Sequence, residues 1–143
     1  MSQLTIQLLV GLCMIGMTTA LQAICIGLGM AVQPHIARHF GRLAYIWMTL
    51  LLSAAALWVL AGITAGVFLW AGALNLLGAF DHFETSLYYA LAAYTTLGFG
   101  DVLTPPEWRI FGAMIGANGM LGFGLATAAM VEFMRGIRRF PRD

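Results

Sequence analysis

The densest chemistry in the chain lies in one run, Thr95-Thr96-Leu97-Gly98-Phe99-Gly100-Asp101. It holds two hydroxyls, two glycines one residue apart and a terminal carboxylate, and it has no helical period. In water, a Gly-x-Gly followed by aspartate is an ordinary turn. The surroundings point elsewhere. The chain has 143 residues, of which 61% are hydrophobic and 9% charged. A soluble domain with so few charges would have no polar face to present to water. Apolar runs at residues 4–32, 43–77 and 108–134 are each long enough to cross a bilayer. A fourth, residues 82–95, makes a helix of only about 21 Å, too short to span. It is expected to enter the membrane and return to the same side. Residues 96–100 would then be non-helical backbone at membrane depth, where each unsatisfied polar group costs several kcal/mol. Such backbone persists only where it lines a water- or ion-filled path inside protein. These residues are therefore read as a pore lining, and one copy cannot enclose a path around itself.

Two segments carry the signatures of helix starts. Asp81-His82-Phe83-Glu84 matches a capping box ahead of the short helix. Thr104-Pro105-Pro106-Glu107 matches another, with proline at the first helical position, ahead of the last span. The expected fold class is an all-α membrane protein with three transmembrane helices plus a re-entrant helix and a non-helical strand. Residues 1–34 form an additional N-terminal helix. Residues 43–138 form the pore domain, with a pore helix at 82–95, the strand at 96–101 and the last helix at 105–138.

Charge placement gives an orientation. Arg38 and Arg42 lie between the first two spans, and Arg135, Arg138, Arg139 and Arg142 follow the third. Asp81, Glu84, Asp101 and Glu107 all lie between the second and third. By the positive-inside tendency the arginine segments are cytoplasmic, the acidic region is external and the N-terminus is outside, in a multi-pass cell-membrane protein. The first run lacks the basic start of a cleaved signal and is expected to be retained. Cys13 and Cys25 lie within it, where oxidative pairing is disfavoured, and are read as small packing residues.

With this context, the segment from Thr96 to Asp101 resembles the selectivity filter of potassium channels. The stretch from Leu43 to Phe133 is similar to their two-helix bacterial members. Asn118-Gly119-Met120-Leu121-Gly122-Phe123-Gly124-Leu125-Ala126-Thr127-Ala128-Ala129 resembles their pore-lining inner helix, and Trp108-Arg109 its outer start. The resemblance implies a homotetramer, each chain joined by three identical subunits. Potassium would exchange its hydration shell for the carbonyls of Thr96, Leu97, Gly98 and Phe99 and the Thr96 hydroxyl. Aiming successive carbonyls at one axis calls for positive φ at intervals, which Gly98 and Gly100 supply without a Cβ clash. Leu97 and Phe99 would then wedge against the short helix, whose C-terminal partial charge faces the pore centre. Asp101 would stand at the outer mouth. Many members have valine and tyrosine where this chain has Leu97 and Phe99, and some carry a buried glutamate where it has Ala92. Tyr88 and Tyr89 replace an aromatic pair that, with Thr95, would support the filter. These departures remove polar bracing and imply a filter that deforms more easily.

Gly119 resembles the gating hinge of the inner helix, and close packing is the other reading. For Gly112, Gly116, Gly122, Gly124 and the pair Gly62 and Gly66, packing is expected. Asn118 and Thr127 either line the cavity or bond neighbouring helices. His35 and His39 are one turn apart but lack a third ligand, so they read as a cytoplasmic loop or a pH sensor. The arginines at 135, 138 and 139 orient the last helix or bind anionic lipid. No voltage-sensor spacing, phosphate loop, zinc motif or nucleophile set occurs. No enzyme activity, nucleic-acid partner or cofactor is expected, and potassium is the permeant ion. The alternatives are a weakly selective cation channel, suggested by the altered filter, and a non-conducting scaffold or regulatory subunit, suggested by the additional helix.

Overall fold

The computed structural model describes residues 2–37 and 44–138. The long apolar runs fold as α1 (Gln3–Ala37), α2 (Ala44–Leu76) and α4 (Arg109–Arg138), with proline and charge confined to their ends, and a short α3 (Phe83–Tyr94) precedes α4. The described residues contain no β-strand. Three segments are long and apolar enough to cross a membrane: Gln3–Val32, Met48–Leu76 and Pro106–Gly136. At 12 residues, α3 is not one of them. The segment expected as a strand at 96–101 is bend and irregular backbone. Arg38, His39, Arg42, Arg139 and Arg142 lie outside the described residues, as do the side chains of His35 and Arg138.

The helix starts differ from the two capping boxes expected. His82, not Asp81, is the N-cap of α3, extended at φ −118° and ψ 135°, and no side chain caps it. At the other start, Pro106–Trp108 forms a 3-10 turn with Pro105 as its N-cap, and α4 begins only at Arg109. Proline still occupies the first position, where its missing N–H has no partner to lose.

Helix directions follow from the contacts. Gln3 reaches the Glu107 carbonyl, Gln7 the Phe111 N–H, and Gln22 the Gly122 carbonyl, so α1 and α4 run parallel. Along α2 the order reverses. Trp58 donates to the Cys25 carbonyl at 2.7 Å, and farther along, Gly66 faces Thr18. The central packing joins α2, α3 and α4. Trp70, Leu74, Ala90, Phe111 and Ile115 are fully buried, and the Trp70 and Phe111 rings are 5.0 Å apart.

Glycines set how closely these helices approach. A Cβ at Gly62 would stand 3.4 Å from Cys25 Cβ, so α1 lies directly on α2 there. On α4, Gly112 faces the Tyr89 ring, Gly116 the Ala93 carbonyl and Gly119 the Tyr94 backbone. These glycines, spaced four and three apart, form a groove that receives α3. Tyr94, the last residue of α3, is level with Gly119, near the middle of the span that Pro106 opens. The helix thus stops halfway, and residues 95–105 return to the start of that span.

Two sequence readings change at this level. Gly124 has nothing within 4 Å of a Cβ position, so it packs against no neighbour in its own chain. Cys13 is exposed on α1, so it is not a buried packing residue within its own chain.

Candidate functional site

The site begins where α3 ends. Thr95 closes the helix at φ −77° and ψ −1°. Thr96 follows at φ 58°. The Thr96 N–H donates to the Ala93 carbonyl and the Leu97 N–H to the Ala92 carbonyl, both at 3.0 Å. This pair of bonds is the Schellman arrangement, which turns a chain sharply off a helix. Gly98 N–H also donates to Ala92, at 3.2 Å, and the Thr95 hydroxyl donates to the Leu91 carbonyl at 2.8 Å. Two further positive φ values follow, 52° at Gly98 and 77° at Gly100. Every second residue from 96 to 100 is therefore left-handed. Gly98 and Gly100 supply this conformation at little cost. Open space surrounds both, so the requirement is conformational and not steric. A left-handed β-branched threonine is uncommon, and no local residue pattern signals it.

The far end of the loop is tied back to α3. The Tyr88 hydroxyl donates to the Asp101 carboxylate at 2.7 Å. That bond, with the backbone N–H groups of Asp101 and Val102, holds the Asp101 carboxyl below its ordinary pKa despite some desolvation. Tyr88 is correspondingly raised, chiefly by the same bond. Tyr89 points the other way. Its ring lies 5.3 Å from Phe80 and its hydroxyl lies over Gly112, so of the tyrosine pair only Tyr88 reaches the loop.

Leu97 and Phe99 are 59% and 68% exposed. They do not wedge against α3 of their own chain as expected, because the loop turns away from the helix at Thr96. On α4, Thr127 is exposed and donates to the Phe123 carbonyl at 2.9 Å. Asn118 is buried, and its amide donates to the Thr18 hydroxyl of α1 at 2.9 Å. Of the two placements considered for Asn118, bonding to a neighbouring helix is the one found. α4 runs unbroken through Gly119, where a Cβ would clash with the Tyr94 carbonyl oxygen and stand 2.7 Å from its carbon. At the other end of α4, Arg135 lies 3.6 Å from Glu132, both well exposed.

The polar stripe on α1, Gln7, Thr18 and Gln22, was not among the sequence candidates. Its signal is present as polar residues four and eleven apart, one and three helical turns, in an otherwise apolar run.

A short helix that stops at mid-span, followed by a left-handed loop and set between two spanning helices, defines a membrane protein of the pore-loop class. A family model described as ion channel matches residues 49–136, more than half of the chain, and the chain belongs to that family of two-helix pore-domain channels. The match covers most of α2, all of α3 and the loop, and most of α4, and α1 lies outside it. No curated protein and no solved structure matches the chain.

Proposed function

We propose that the chain is one subunit of a homotetrameric, potassium-selective channel in the cell membrane, with residues 96–100 as its filter. The observation that carries this reading is the alternation of positive φ at Thr96, Gly98 and Gly100 directly after the end of α3. Alternating backbone handedness lets consecutive carbonyls face one side. Four such loops around an axis would give the stacked oxygen rings that replace a potassium hydration shell. The Thr96 hydroxyl adds a ring at the inner end, and Asp101 concentrates cations at the outer one.

The exposed surface supports a multimer. Residues 96–100 are exposed, and in this reading they lie at a depth where lipid offers no hydrogen bonds. On the same chain Met120 and Leu121 leave a broad open face on α4, at 68% and 47% exposure. Further copies would cover both. In this reading the acidic loops and the N-terminus face outward and the arginine segments face the cytoplasm, as the positive-inside tendency favours.

The test is flux in liposomes with opposed potassium and sodium gradients. Potassium uptake well above sodium uptake is the expected result. Equal permeabilities would leave a non-selective cation channel, and no flux of either ion would favour a scaffold or regulatory subunit.

A further inference from the structure

Most of α1 is apolar, yet three of its polar side chains are almost fully buried. Gln7, Thr18 and Gln22 are 4%, 3% and 3% exposed. Polar groups within a bilayer have lost water and must find partners in protein. Gln7 Oε1 accepts the Phe111 N–H at 3.1 Å, one of the donors that the first turn of a helix leaves unpaired. The Thr18 hydroxyl donates to the Met14 carbonyl at 2.7 Å and accepts from Asn118 at 2.9 Å. Gln22 Nε2 donates to the Gly122 carbonyl at 2.8 Å.

At the level of Thr18 and Gln22, α4 is thin. Gly119 rests on the Tyr94 backbone, and a Cβ at Gly122 would stand 3.0 Å from Gln22 Oε1 and 3.3 Å from Tyr94 Cζ. On α2, a Cβ at Gly66 would stand 3.8 Å from the Tyr94 hydroxyl and 3.9 Å from Thr18 Cβ. Thr18 and Gln22 therefore approach the Tyr94 side chain across glycine positions of α2 and α4, which have no side chain to adjust. The left-handed loop begins two residues after Tyr94, at Thr96.

We infer that α1 is a backstop for the base of the filter, with Thr18 and Gln22 as its positioning residues. By holding α4 against Tyr94 they fix the backbone from which Thr96 and Leu97 depart. The inference rests on the filter reading given above. A helix that served only as an anchor would need an apolar face towards lipid, not hydrogen bonds at the level of Tyr94. Gln7 provides an internal control. It makes the same kind of bond to α4, but at Phe111, eleven residues or about 16 Å along the helix from Gly122.

The test compares four variants of the full chain reconstituted in liposomes. Thr18→Val keeps the shape and deletes the hydroxyl, and Thr18→Ser keeps the hydroxyl. Gln22→Leu deletes one amide at the filter base, and Gln7→Leu deletes one at the start of α4. The sodium-to-potassium permeability ratio is expected to rise at least threefold in Thr18→Val and Gln22→Leu, and to stay at the wild-type value in the other two. Hydrogen exchange of the Thr96, Leu97 and Gly98 amides, each bonded to a carbonyl of α3, gives a second readout that needs no conduction. It is expected to quicken at least threefold in the same two variants only. Thr18→Val, nearly isosteric, carries the test should Gln22→Leu fail to insert. Unchanged exchange in Thr18→Val, or an equal rise in Gln7→Leu, overturns the backstop. A wild-type chain that passes no potassium, with the exchange pattern as expected, would remove the filter reading and leave the bracing by α1 intact.

Discussion

Thr96 and Gly78 occupy the same position in the same motif. Each sits just beyond a helix, α3 or α2, at φ 58° and 69° respectively. Gly78 N–H donates to the Asn75 carbonyl and Ala79 N–H to that of Leu74, the pattern that Thr96 and Leu97 repeat with Ala93 and Ala92. Glycine is the usual residue there, and an L side chain in this conformation costs about 1–2 kcal/mol. At Gly78 the turn only connects two helices. At Thr96 the side chain stays despite its cost, which fits a hydroxyl needed for a ligand.

Thr96→Gly should therefore stabilise the turn by about 1 kcal/mol while deleting the hydroxyl. Thermal unfolding in detergent is expected to shift upward, and bi-ionic flux should show a weaker preference for potassium. Thr96→Ser, which keeps the hydroxyl, should keep the preference. A Thr96→Gly variant with unaltered selectivity would remove the hydroxyl from the ion site.

The bond between Tyr88 and Asp101 predicts an acid response. Asp101 is held below its ordinary pKa in the folded loop, so the bond contributes fully above that ordinary value. It is lost as pH falls through the lowered pKa. Tyr88→Phe removes the main cause of the lowering, so loss of current on acidification should begin at a higher pH than in wild type. Tyr88→Phe and Asp101→Asn should give similar effects at neutral pH, and the double variant should add little to either. Additive effects in that cycle would show that the two side chains act separately.

Gly119 and Gly124 should separate in an alanine scan. A methyl at Gly119 meets the Tyr94 backbone, which cannot yield as a side chain would. Overpacking of this kind costs roughly 1–3 kcal/mol. Gly119→Ala is expected to lower the yield of assembled protein on gel filtration. Gly124→Ala meets nothing in its own chain, so any loss there would report a contact between subunits.

The position of α1 can be checked by cross-linking. A Cβ at residue 62 would stand 3.4 Å from Cys25 Cβ, close to the spacing of about 3.5–4.5 Å found in disulfides. Gly62→Cys in a Cys13→Ser background should oxidise to a link within one chain. After cleavage at the arginines between α1 and α2, the fragments should stay joined until reduced. A dimer on a non-reducing gel would instead place α1 against a neighbouring subunit.

The sequence carried much of this architecture, because bilayer thickness fixes what a long apolar run can be. The fourteen-residue stretch was too short to cross, and α3 does stop halfway. The glycine groove of α4 was legible as small-residue spacing at Gly112 and Gly116. Both helix starts show the limit of local pattern: Asp81 and Thr104 have the right residue types, but His82 and Pro105 take the cap positions. Asn118 shows another limit. A polar residue on a pore helix fits a cavity or a helix contact equally well until the partner, Thr18, is in place. The left-handed Thr96 had no local signal, because its conformation is set by where α3 must end.

The parallel pairing of α1 with α4 also constrains how a subunit is built. The bonds of Gln7, Thr18 and Gln22 join residues about a hundred positions apart. At a synthesis rate of roughly 5–20 residues per second, α1 precedes its partner by about 5 to 20 seconds. Through that interval its three polar side chains have no α4 to bond. α4 therefore completes α1, and a chain truncated before Asn118 would leave the Gln22 amide without its partner in lipid. Such a product would be open to recognition by membrane quality control.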